Sequence, residues 1–173
     1  NTQNEGVNVE QANFTYNLND SVSLTFGSYG SALGLEGEDP AGLYTYSRAY
    51  KGAFNLADID SLNSVEGLTV AYSAETFSIA ASVEEAADAD LEISDLNLEL
   101  SFTYNGIAGV NIGGGYFFDN SDAAGGETDV LNIHVSRQFG KLLLAGEYIE
   151  ASTTGSSVAA ENAENDAYLL LAD

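Results

Sequence analysis

The sequence predicts an all-β protein: an antiparallel up-and-down transmembrane β-barrel of about nine visible strands, part of a larger barrel. Three observations predict it. Apolar and small polar residues alternate with period two along most of the chain, and no convincing stripe of about 3.6-residue period competes with them. The links between alternating segments are short and long by turns. The 4 Lys+Arg, set against 27 Asp+Glu, cannot supply the charged exterior that a soluble β-sandwich would carry.

The strands fall near residues 8–17, 21–28, 64–73, 76–83, 96–104, 107–117, 128–138, 142–150 and 166–172. The first pair is joined by "NLND", the third and fourth strands by "SAET", the fifth and sixth by "NG", and the seventh and eighth by "FGK", all tight hairpin links. In the second strand Val22, Leu24 and Phe26 share one face and Ser21, Ser23, Thr25 and Gly27 the other. The fourth opposes Phe77, Ile79, Ala81 and Val83 to Ser78, Ala80 and Ser82, and the fifth opposes Leu96, Leu98, Leu100, Phe102 and Tyr104 to Asn97, Glu99, Ser101 and Thr103. The sixth, "GIAGVNIGGGYF", is a glycine-rich strand, in which Gly113 to Gly115 let the strand bend or a loop pack close. One domain spans 1–173, with long acidic loops, extracellular in a barrel, near 29–63, 84–95, 118–127 and 151–165.

Composition narrows the function classes. A net charge of -23 repels phosphate backbones, which sets nucleic acid aside, and attracts cations. The 45% apolar content, with 10 Tyr and 8 Phe, is that of a folding chain. No apolar run is long enough for a membrane helix. Aromatic rings gather at two levels. Phe14, Tyr16, Tyr72, Phe77, Phe102, Tyr104 and Phe139 lie near the short turns, and Phe26, Tyr29, Tyr116, Phe117, Phe118 and Tyr148 near the long loops. Two such belts flanking an apolar band match the two interfaces of a bilayer.

Residues 9 to 50, "VEQANFTYNLNDSVSLTFGSYGSALGLEGEDPAGLYTYSRAY", resemble the β-barrel porins of the OmpL-like group in Gram-negative bacteria. The most specific parts are residues 10 to 28, "EDP" (Glu38 to Pro40) and "YSRAY" (Tyr46 to Tyr50), and the later hairpins and the closing "DAYLLLAD" look like the same group. The resemblance implies an outer-membrane barrel that passes small solutes. Members look about twice as long, and single-chain bacterial barrels have even strand numbers, so the chain is read as a fragment.

Arg48 and Lys51 stand in the first long loop with Glu36, Glu38 and Asp39; folded into a lumen, that loop would oppose charges across a constriction. By phase Glu99 and Glu147 point to the wet face with Asn97, His134 and Gln138, where carboxylates would favour cations. The bland alternatives are a solvated loop and a solvated sheet face. Asp88, Asp90, Glu92 and Asp95, or Asp119, Asp122, Glu127 and Asp129, offer a loose oxygen-only calcium site without EF-hand order. His134, the single His, lacks the companions that metal or catalysis needs, and no enzyme or cofactor motif is present in the sequence.

The expectation is an outer-membrane porin giving passive diffusion to small hydrophilic solutes and favouring cations, surrounded by outer-membrane lipid and lipopolysaccharide and assembling as a homo-oligomer, a trimer by analogy. Two alternatives stand beside it: an acidic β-sandwich surface protein that binds a partner or glycan through its loops, and a non-conducting structural barrel.

Overall fold

The computed structural model describes residues 11–35, 65–85, 96–119, 127–154 and 163–172. They form one sheet of nine strands in the order β1 to β9, each antiparallel to its neighbours in sequence, with no helix among the described residues. The strands are β1 (Ala12–Asn17), β2 (Val22–Tyr29), β3 (Val65–Ser73), β4 (Phe77–Glu85), β5 (Leu96–Tyr104), β6 (Val110–Phe118), β7 (Glu127–Phe139), β8 (Leu142–Thr154) and β9 (Ala163–Ala172). The predicted all-β, up-and-down architecture is therefore the one observed. The sheet is open among the described residues: β1 and β9 run in the same direction and do not pair.

Burial along the strands is inverted relative to a soluble β-protein. In the middle of the sheet the apolar members of the alternation are exposed, Leu100 at 46% and Ile133 at 48%, while the polar members between them are buried, Glu99 at 2% and Asn132 at 0%; toward the long-loop end Val65, Phe117, Val130 and Ile149 are buried on the polar side. We call these two sides the outer and inner faces. Hydroxyl pairs lace the inner face across neighbouring strands, Thr15 to Thr25 at 2.9 Å and Thr69 to Ser82 at 2.9 Å. The first pair is exposed and the second part-buried, and each links neighbouring strands through side chains.

The aromatic residues divide between the faces. Tyr16, Phe26, Tyr72, Phe77, Phe102, Tyr104, Tyr116 and Phe139 are exposed on the outer face, and Tyr148 lies on that face beside Tyr168, its ring centroid 5.0 Å away. At the short-turn end the Tyr72 and Phe77 rings meet at a tilt, 5.9 Å apart, and the Arg137 guanidinium sits 4.5 Å from the Phe139 centroid, an attraction between a cation and a ring face. Tyr29 and Phe117, expected in the long-loop belt, face inward instead. Phe117 is buried with Leu33, Val65, Val130, Ile149 and Ala151, and Tyr29 packs against that cluster. In "YFF" successive side chains must take opposite faces, so Phe117 cannot share the outer face of Tyr116 and Phe118.

The fifth and sixth strands connect differently from expectation. Asn105-Gly106 is not a two-residue hairpin turn; the connection runs over 105–109, and Tyr104 pairs with Ile112. A two-residue link would shift the register by an odd step and turn Ile112, Tyr116 and Phe118 to the inner face. The longer turn keeps them outside and puts Gly113 and Gly115 inside. β8 and β9 also extend further than the alternation predicts, pairing Ala151 with Asn165 and Thr153 with Ala163.

Candidate functional site

The site is the inner face together with the start of the first long loop. After Tyr29 the chain turns onto this face and crosses it, and residues 31–35 meet three strands in turn. The Ser31 hydroxyl donates to Glu99 Oε2 at 2.5 Å, and the Ala32 N–H to Glu99 Oε1 at 2.8 Å, both on β5. The Gly34 N–H donates to Asn132 Oδ1 on β7 at 3.1 Å, and the Leu35 N–H to Glu147 Oε1 on β8 at 2.6 Å. Asn132 is the hinge of the set, since its Nδ2 also donates to Glu147 Oε1 at 2.8 Å. A loop that leaves the sheet has backbone donors without strand partners, and buried carboxylates and amides supply the acceptors.

Two glycines make the crossing sterically feasible. Gly34 has φ of 99°, a left-handed conformation that residues with a Cβ rarely adopt, which lets the chain redirect between the Asn132 and Glu147 contacts. Gly115 leaves the space that the Leu33 side chain fills; a Cβ there would meet Leu33 Cδ2 and the Leu100 carbonyl oxygen. Gly113 does the same for the His134 ring, whose Nδ1 lies 3.3 Å from Asn132 Oδ1. Replacing Gly115 with Val is expected to lift Leu33 off the sheet and to cost about 1–3 kcal/mol by overpacking, read as a lower urea midpoint by circular dichroism. An unchanged midpoint would mean that Leu33 holds nothing down.

Glu99 and Glu147 thus lie on the face that the alternation assigns them, where they accept from the base of the loop. Both are buried. Glu36, Glu38, Asp39, Arg48 and Lys51 lie outside the described residues, as do Asp88, Asp90, Glu92, Asp95 and Asp122. Among the remaining loop acids, Asp119 directly follows β6, while Glu127 and Asp129 lie at the start of β7.

Sequence reasoning missed three features. Asn132 gave no signal beyond its phase. Glu84 is 1% exposed on the inner face, and its phase with Ser78, Ala80 and Ser82 placed it there. On the outer face at the long-loop end, Glu150, Glu164 and Asp166 bring carboxylate oxygens within 4.8 Å of one another. The Tyr148 hydroxyl donates to Glu150 at 2.5 Å and lies 3.0 Å from Asp166 Oδ1. Comparison with protein-family models, with curated proteins and with solved structures gave no match.

Proposed function

We propose that this protein is a bacterial outer-membrane β-barrel porin, or a large fragment of one, through which small hydrophilic solutes diffuse passively, with a preference for cations. The inversion of burial carries the reading. A sheet that hides Glu84, Glu99, Asn132 and Glu147 while exposing Leu68, Val70, Ile79, Leu100, Phe102 and Ile133 is built for an apolar solvent outside and a polar space inside. So large an apolar surface is foreign to a soluble monomer. On it, an apolar groove of about 570 Å³ opens among Val70, Ile79, Leu100, Phe102 and Tyr116, a shape that suits lipid tails.

Several further features support the same reading. Strands β3 to β6 have 9 residues each, the length that crosses a bilayer when tilted. Short connections lie at one end and long acidic ones at the other, as in barrels whose long loops face the outside of the cell. Antiparallel closure of nine strands takes an odd number of further strands, because β1 and β9 run the same way. The base of the first loop lies on the inner face, where a constriction loop would begin. No catalytic constellation is proposed.

A second reading has its own observation. Leu33 packs with Val65, Phe117, Val130 and Ile149 on the inner face at the long-loop end, as a plug would. This favours a structural barrel without an open path. Single-channel recording of the extracted protein in a planar bilayer under a salt gradient separates the two. The porin reading expects stepwise conductance and a reversal potential of cation-selective sign; inserted but silent protein would overturn it in favour of the plugged barrel.

A further inference from the structure

One buried carboxyl group on the inner face makes none of the hydrogen bonds that hold residues 31–35. Glu84 projects from β4 between Gly67 of β3 and Asn97 of β5, its partners in register. Neither of its carboxylate oxygens has a hydrogen-bond partner among the described residues. A carboxylate removed from water without a donor or counter-charge is among the least tolerable groups a protein can bury. Beside it on β5 stands Glu99, one step diagonal from Asn97, within the reach of long side chains across a sheet. Glu99 already accepts from Ser31 and Ala32, so its first loop contacts cannot serve Glu84 as well.

Besides the Asn97 amide, three hydroxyls face the same side near Glu84. The Tyr29 hydroxyl is buried above Gly67, 3.0 Å from where a Cβ of that glycine would stand. Thr69 and Ser82 face the same side with their hydroxyls 2.9 Å apart. Two carboxylates and three hydroxyls form an oxygen donor set for a hard cation. The pair of negative charges matches a divalent ion, and side chains from four different segments suit the irregular, roughly six-to-eight-oxygen shell of calcium better than the strict octahedron of magnesium.

We propose that Glu84 and Glu99 hold a calcium-like divalent cation on the inner face between β3 and β5, with Tyr29, Thr69 and Ser82 supplying hydroxyl oxygens. The bound ion ties the strands that carry Glu84 and Glu99 to the base of the first loop through the Ser31 and Ala32 contacts. This goes beyond the channel reading, because such an ion would sit equally well in a conducting and in a plugged barrel.

The test is calcium titration calorimetry on the folded protein in detergent, stripped beforehand with a chelator, compared with Glu84→Gln. That variant keeps the shape and removes the charge, and circular dichroism checks its fold. The wild type is expected to show one site distinct from loose binding at exposed acids, weakened at least about tenfold in Glu84→Gln. Identical titrations of the two proteins would overturn the proposal. So would a protonated-carboxyl infrared band in calcium-treated wild type that Glu84→Gln abolishes, since the buried charge would then be neutralised by a proton. A site that appears only in Arg48→Gln/Lys51→Gln would overturn it too, by showing that a basic side chain of this chain fills the place. Conductance does not enter the readout, so failure of the cation site and failure of the porin reading are separate results.

Discussion

Replacing Glu99 and Glu147 together with Ala is expected to free the base of the first long loop and to destabilise the fold by about 3–5 kcal/mol. The two carboxylates accept from the Ser31 hydroxyl and from the Ala32 and Leu35 amides, and Glu147 also accepts from Asn132. Hydrogen bonds to charged groups contribute about 1.5–3 kcal/mol each, and buried donors left without acceptors add their own penalty. Removing two buried charges offsets part of that loss, which keeps the total below the simple sum. Urea unfolding followed by circular dichroism reads the change, the chain having no Trp to report by fluorescence. The Glu99→Gln/Glu147→Gln pair retains an acceptor oxygen at each site and should fall between the wild type and the Ala pair. In a conducting barrel the Ala pair should also flicker or conduct more, because the loop is no longer pinned. A double variant within about 1 kcal/mol of the wild type would mean that Leu33 packing alone holds the loop.

Much of this arrangement can be read in the sequence, and the exceptions have physical reasons. Alternation in "LNLELSFTY" assigns Leu98 and Leu100 to one face and Glu99 to the other, and the sheet follows it residue for residue. Phase and composition put Glu99 on the wet face as a lumen carboxylate, but they do not reveal that it accepts from the first loop. Its role comes from Ser31 and Ala32, 68 and 67 residues away in the chain, and that of Glu147 from Leu35, 112 residues away. No local pattern encodes such contacts. The Asn105-Gly106 dipeptide is a strong hairpin signal, yet it yields to the register that keeps Ile112 and Tyr116 with the outer apolar set. Glu84 and Phe117 were legible by the same parity that placed their neighbours. A carboxylate at a strand end reads as part of the acidic loop beyond it, and a Phe between two aromatics reads as part of their belt.

The apolar face itself provides the sharpest test of lipid against water. Leu100 stands at the centre of β5 on the outer face, flanked in register by Ala81 and Tyr116 and 46% exposed. In a bilayer, Leu100→Arg would place a guanidinium near the midplane, at a cost of about 2–4 kcal/mol on the lipid face of a barrel. In water the same change at a half-exposed position should stay within about 0.5 kcal/mol. Glu66→Arg is the matched control, on the same face but at the long-loop end of β3, where the penalty in lipid falls to about 0–1 kcal/mol. Urea unfolding of protein folded into lipid vesicles, read by circular dichroism, should therefore show a large loss for Leu100→Arg and little for Glu66→Arg. That contrast depends on depth, and depth has meaning only if the outer face is immersed in a bilayer. Equal, small losses at the two positions would show that the face meets water or another protein. The inverted burial would then need a partner surface for its explanation instead of a membrane.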